Sequence, residues 1–283
     1  MDEHPVRLQV RHASSYRYDR EVVSSYNEAR LVPQTATTQL TLSSSVETSP
    51  DAVQHRYWDY WGTQVTVFDV HVPHTELQLV STSVVDTGLV APGAGTDPSL
   101  ATWDALAQAR DTHAELLHAS PRTAPDEEIS ALAAEAGGSP YEVVLGLSEL
   151  AHSRVAYVPG STGVATSAVE AWQLGQGVCQ DIAHVTLALL REAGVPARYV
   201  SGYLHPGKQP VVGEPVAGES HAWVEAWVGG WWGFDPTNAT PAGERHVIVA
   251  RGRDYTDVPP LKGVYAGGGS QHLAVSVQVT RLA

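Results

Sequence analysis

Gly177-Val178-Cys179-Gln180-Asp181-Ile182-Ala183-His184 holds the single cysteine of the chain, where a glycine-containing turn (Gly175, Gly177) gives way to an apolar run through Leu187, Leu189 and Leu190. This pattern predicts a buried helix from Cys179 to about Ala193, with the cysteine in its first turn. Gly194 with Pro196 just beyond supplies the expected stop. At a helix start the unpaired backbone N–H groups and the positive end of the dipole favour an anion, here the reactive thiolate. The same N–H groups would suit an oxyanion. A lone cysteine is more often a small buried hydrophobe, so the reading depends on what else the chain brings to it.

A cysteine nucleophile needs a base within hydrogen-bond reach and a third group to orient that base. Ser220-His221-Ala222-Trp223-Val224-Glu225-Ala226-Trp227-Val228, Gly229-Gly230 and Trp231-Trp232-Gly233-Phe234-Asp235-Pro236-Thr237 together read as a β-hairpin, and His221 and Asp235 are the candidates. Register decides whether they meet. A two-residue turn would pair Val224 with Asp235 and put His221 on the opposite face. A three-residue loop, Val228 to Gly230, pairs Trp227 with Trp231 and Trp223 with Asp235, leaving His221 diagonally beside Asp235 on one face. That loop expects a left-handed Gly230. Taken singly, His221 reads as a structural histidine and Asp235, before Pro236, as a turn residue; the combination with Cys179 is what carries weight. Asp181 and Gln180 suit a first helical turn, and His184 a structural place on the same helix.

From Val6 to Asp86 the chain reads as β structure. Val6–Val10, Gln39–Ser43, Val65–Val72 and Glu76–Ser81 alternate at period two, with turn signals at Pro33, Ser49-Pro50-Asp51 and Gly62. Tyr57, Trp58, Tyr60 and Trp61 read as packing residues. Gly88 to Pro98 marks a boundary, dividing an N-terminal all-β domain (1–88) from a second domain (89–283). Beyond it helices are expected over Leu100–Leu117, Glu127–Ala136, Pro140–Ser153 and Ser167–Leu174, with a loop near the site at Pro159–Gly163. Ala197–Leu204 and Leu273–Val279 read as strands, and His205–Gly218 as a candidate substrate-facing loop.

The charge balance, 17 Lys+Arg against 31 Asp+Glu for a net -14, excludes the basic footprint that nucleic acid or an anionic membrane requires. No apolar run is long enough to span a bilayer, the start of the chain has no secretory pattern, and one cysteine makes no internal disulfide. A cytoplasmic location is therefore expected. Thirteen histidines occur without a His-Glu-x-x-His or a cysteine pair, so neither a metal nor a cofactor is expected. His71 and His74 read as structural or surface residues.

At Gly177–Asp181, Ser220–Glu225 and Gly233–Asn238 the chain resembles the transglutaminase-like superfamily. More narrowly it is similar to bacterial transglutaminase-like proteins with a β domain in front, through Asp59-Tyr60-Trp61-Gly62, Pro73-His74-x-x-Leu77 and Gly252-Arg253-Asp254-Tyr255-Thr256-Asp257-Val258-Pro259-Pro260. The resemblance implies an α+β fold, a papain-like core of helices on an antiparallel sheet. It also implies Cys179 as nucleophile, His221 as base and acid, and Asp235 as orienter, acting on an amide of a protein or peptide through a thioester. Water as acceptor would make a cysteine peptidase or amidase, an amine an acyltransferase; hydrolysis is favoured because no long acceptor-binding insertion is evident. The rivals are an inert peptide-binding module on the same fold and, less favoured, a metal-dependent hydrolase. Trp172 and Gln173 are candidates for a second oxyanion donor. The calcium sites of the mammalian cross-linking enzymes are not recognisable.

Overall fold

The computed structural model describes residues 5–89, 97–207 and 210–283. Five strands come first: β1 (Val6–Ala29), β2 (Gln39–Ser49), β3 (Gln54–Trp58), β4 (Gln64–Val70) and β5 (His74–Thr87). Helices α1 (Trp103–Ala109), α2 (Glu127–Glu135) and α3 (Pro140–Arg154) follow, then β6 (Ala156–Tyr157), α4 (Ala168–Leu174), β7 (Gln176–Gly177) and α5 (Cys179–Glu192). The remainder is strand: β8 (Ala197–Leu204), β9 (Pro215–Trp227), β10 (Trp231–Asp235), β11 (Thr240–Pro241), β12 (His246–Gly252), β13 (Leu261–Gly267) and β14 (Gln271–Arg281). The fold is α+β, with a strand-rich N-terminal region. Among the described residues no helix is long and apolar enough to cross a membrane.

α5 is the centre. Every residue from Gln180 to Arg191 is buried, as expected of a helix enclosed on all sides rather than packed by one stripe. It packs against α2, α3 and α4 and against β8 and β9. Its end follows the sequence: Gly194 is left-handed at φ 82°, and the Val195 N–H reaches back to the Leu190 carbonyl at 2.9 Å, closing the helix with a glycine just past its last turn. α3 and α4 each begin with a Ser/Glu capping box, Ser139 with Glu142 and Ser167 with Glu170, which satisfies N-terminal donors reciprocally.

β1 is the longest strand, at 24 residues, and holds the sheet together. Its first part pairs with β5 and β14; beyond the irregularity between Arg17 and Val22 it pairs with β4 and β13. β14 in turn pairs with the start of β9, from Val277 opposite Gly218 to Thr280 opposite Pro215. β9 then continues between β8 and β10. The larger core cluster accordingly takes Leu8, Val10, Val85, Val277 and Val279 from the N-terminal and C-terminal strands together with Ile182, Leu187 and Leu189 of α5. A second cluster around Val22, Phe68, Val70 and Leu79 lies within the strand-rich region.

Two local expectations need correction. The helix expected over Leu100–Leu117 is broken into α1 flanked by 3-10 turns at Pro98–Leu100 and Ala114–Leu116. Its buried residues are only Ala101, Leu106 and Leu116, the last two separated by Arg110-Asp111-Thr112-His113, so no continuous apolar stripe holds a longer helix down. Much of the expected boundary segment, 90–96, and residues 208 and 209 of the expected 205–218 loop lie outside the described residues. The end of that loop is strand: β9 already begins at Pro215, and Val212 bridges to Arg281.

Candidate functional site

In the β9–β10 hairpin Trp227 pairs with Trp231 and Val224 with Phe234, the register of a three-residue loop. The left-handed residue in the loop is Gly229, at φ 81°, rather than Gly230. The Val228 N–H closes the turn onto the Gly230 carbonyl at 2.9 Å. In this register the side chains of His221 and Asp235 share a face, and His221 Nε2 donates to Asp235 Oδ2 at 2.7 Å.

Asp235 is fully buried and His221 only 6 % exposed. The carboxylate is surrounded by donors. Oδ1 accepts from the backbone N–H groups of Thr237 and Asn238; Oδ2 accepts from the Asn238 side chain at 2.7 Å and from His246 Nε2 at 3.2 Å as well as from His221. Burial would raise its pKa, but these hydrogen bonds, His221 first and His246 next, hold it well below the usual carboxylate range. The turn after Asp235 is fixed from α3, where His152 Nδ1 donates to the Pro236 carbonyl at 2.9 Å.

Cys179 is a free, half-buried thiol in the first turn of α5. Burial pulls the His221 pKa down, yet Asp235 first, through its hydrogen bond and charge, and then Cys179 lift it to about 10. With Nε2 engaged by Asp235, the nitrogen left for the thiol is Nδ1. Burial first, and then the charge of Cys179, raises the pKa of the Tyr157 and Tyr199 phenols. Trp223 stacks along the His221 ring at 6.2 Å, 26° from parallel.

The first turn of α5 is braced by Asp181, whose Oδ2 accepts from the Val178 N–H at 2.8 Å and the Thr162 hydroxyl at 2.6 Å. Asp181 thereby ties the loop after β6 to the residue preceding Cys179. Gly177 is required there, since a Cβ would meet Asp181 Cβ at 2.7 Å. From behind, the Gly252–Pro260 stretch clamps the helix: Arg191 donates to the Arg253 carbonyl and the Tyr255 N–H donates to His184 Nε2 at 3.2 Å. Trp172 is buried with its indole N–H unpartnered, whereas Gln173 is exposed. His74 is buried with Nδ1 donating to the Val72 carbonyl, and His71 packs edge-on to Tyr26.

His246 is the residue that sequence reasoning missed. It opens β12, a strand legible in the apolar run Val247-Ile248-Val249-Ala250 after Gly243. His221, Asp235 and His246 offer donor atoms within 4.8 Å of one another, the dimensions of a metal site. However, both Nε2 atoms direct a hydrogen bond at the carboxylate, and His246 Nδ1 is occupied by the Gly243 N–H at 3.1 Å. The cluster is two imidazoles hydrogen-bonded to one buried carboxylate.

The chain belongs to the transglutaminase-like superfamily. The superfamily's core model matches residues 130–236, and the bacterial transglutaminase-like N-terminal region matches residues 8–86. It is 44% identical over 281 residues to an uncharacterized protein of Mycobacterium leprae, covering 98% of this chain and 99% of that one. It is 33% identical over 292 residues to an uncharacterized protein of Mycobacterium tuberculosis, covering 96% and 92%. A crystal structure described as "a Putative Cysteine Protease from Cytophaga hutchinsonii" superposes with a TM-score of 0.77 at 22% identity, over 99% of this chain and 92% of that one, a likeness of fold.

Proposed function

We propose that the protein is a thiol-dependent enzyme acting on an amide bond of a peptide or protein, with Cys179 as nucleophile, His221 as base and acid, and Asp235 as orienter. The observation that carries this reading is His221 itself, a buried imidazole bound through Nε2 to Asp235 at 2.7 Å and raised in pKa by Asp235 and Cys179. A proton held on that ring at neutral pH favours a thiolate beside it, at a helix start that favours the same charge. The thiolate adds to the amide carbonyl, and the oxyanion that forms is met by the Cys179 backbone N–H. His221 gives its proton to the leaving amine, and the C–N bond breaks to leave a thioester on Cys179. Water activated by the now neutral His221 then releases the acid and returns the proton to the ring; an amine in place of water would make a new amide. We favour hydrolysis, since nothing in the chain resembles a dedicated acceptor-binding insertion, and we place the enzyme in the cytoplasm, where a lone thiol stays reduced.

The test is the reactivity of Cys179. Iodoacetamide at pH 6 should label it far faster than a free cysteine, and the advantage should vanish in the H221Q variant. Incubation with a peptide library should leave an acyl adduct on Cys179 detectable by mass spectrometry. A thiol no more reactive than free cysteine would instead support an inert binding module on this fold.

A further inference from the structure

Two imidazoles converge on Asp235 Oδ2, and only one of them has been given a role. His246 is 5 % exposed, and its ring is fixed from both ends. The turn Gly243–His246 is closed by reciprocal bonds: the His246 N–H donates to the Gly243 carbonyl at 2.9 Å, and the Gly243 N–H donates to His246 Nδ1 at 3.1 Å. A backbone N–H is a donor only, so Nδ1 must be the acceptor and the ring proton must reside on Nε2. From there it reaches Asp235 Oδ2 at 3.2 Å. The Trp223 ring packs edge-on against it at 5.1 Å. β10 is tied to the same turn by the bond from the Ala242 N–H to the Gly233 carbonyl at 3.0 Å.

We propose that His246 is a positioning residue for the reaction, a neutral donor locked in its Nε2–H tautomer that shares the Asp235 oxygen used by His221 and limits how tightly that carboxylate holds the His221 proton. The assignment rests on the function proposed above for Cys179 and His221. Its logic is competition for one acceptor. A carboxylate oxygen receiving hydrogen bonds from His246 and Asn238 is less available to an imidazolium, so His221 must release its proton to the leaving amine more readily than it would from an unshared partner. The device requires His246 to stay uncharged. The groups facing it are Asp235 on β10, His221 on β9 with ring centres 6.3 Å apart, and Arg245 beside it in the turn. Burial first, and then the two neighbouring cations, outweigh the attraction of Asp235 and hold its pKa below the ordinary imidazole value.

The experiment is nitrogen NMR of histidine-labelled protein across pH, with the two rings assigned from the H221Q and H246Q spectra. In the wild type His246 should show a protonated Nε2 and a bare Nδ1 throughout pH 6 to 9. In H246F the His221 titration midpoint should move upward by about one pH unit, the size of losing one donor to its carboxylate. In H246Q, whose amide nitrogen keeps a donor at the place of Nε2, the midpoint should stay near the wild-type value. A cationic His246, a proton on its Nδ1, or equal midpoints in wild type and H246F would overturn the assignment. Should H246F not fold, the wild-type tautomer decides it. Iodoacetamide labelling of wild-type Cys179 separates the two proposals: an inert thiol with the expected tautomer removes the reaction and leaves the hydrogen-bond assignment standing.

Discussion

Gly202→Ala tests whether the sheet behind the site sets the position of His221. Gly202 lies on β8, opposite His221 on β9 and Ile248 on β12. A Cβ there would meet the Val247 carbonyl oxygen at 2.0 Å and the Trp223 ring at 2.7 Å, against 3.4 Å or more for ordinary contact. The first obstacle is backbone, so no rotamer relieves it, and the β8–β12 pair must separate by more than an ångström. Overpacking typically costs about 1–3 kcal/mol, and a clash with main chain belongs at the top of that range. For a chain of this size about 3 kcal/mol lowers Tm by roughly 6–12 °C. β8 is held on its other side by β9, so relief on that side carries His221 with it, and a displacement near 1 Å costs on the order of 100-fold in reactivity. Thermal melting and iodoacetamide labelling of Cys179 at pH 6 read the two effects separately. A variant melting within about 2 °C of wild type would refute the packing argument; one that melts lower but labels at the wild-type rate would refute the coupling to His221.

Glu225 is 6 % exposed and takes hydrogen bonds from both Arg198 and Arg251; E225Q leaves two arginines short of their counter-charge and should cost about 3–5 kcal/mol in urea unfolding. Burial opposes the charge of Glu225, but Arg251 and Arg198 lower its pKa to about 2, so its contribution to stability is present above the ordinary carboxylate value and should be lost as pH falls toward 2. His221 has the opposite sign. Its folded pKa, raised to about 10, gives stability that is complete below pH 6.5 and is lost as pH rises through 10, and acyl transfer should fall over the same alkaline window. H221Q should reduce acyl transfer by about 10²–10⁴-fold and should also lower Tm at neutral pH, since the stability tied to the raised His221 pKa goes with the ring. D181A removes the acceptor shared by the Val178 N–H and the Thr162 hydroxyl; a loss of about 0.5–2 kcal/mol and faster proteolysis within residues 158–166 are expected.

Legibility in the sequence followed how local the determinants were. α5 could be read because its start, apolar run and glycine stop lie within about twenty contiguous residues, and Ala197–Leu204 because its pattern is short and clean. Hairpin arithmetic found the Trp227–Trp231 pairing, but which glycine turns left-handed depends on loop geometry that Gly229-Gly230 does not encode by residue type. β1 was read only at Val6–Val10 because its middle, Arg17 to Glu21, is mostly polar and exposed and becomes strand through partners far along the chain. His246 went unseen for a related reason: its significance is one hydrogen bond across eleven residues and a turn at Gly243, and no spacing rule announces either.

Within thirteen residues β9 passes from its pairing with β14 to its pairing with β8 and β10 in the same sheet. Four of them are aligned by β14, and three positions after the last of these stands His221. A strand cannot slip in one half and keep its place in the other without turning every later side chain to the opposite face. The pairing of Gly218 with Val277, far from any sulfur, is therefore a datum line from which the imidazole is measured, and β1, through its pairing with β14, sets that line. One residue inserted between Gly218 and His221 would point the ring away from Asp235 without touching either of them.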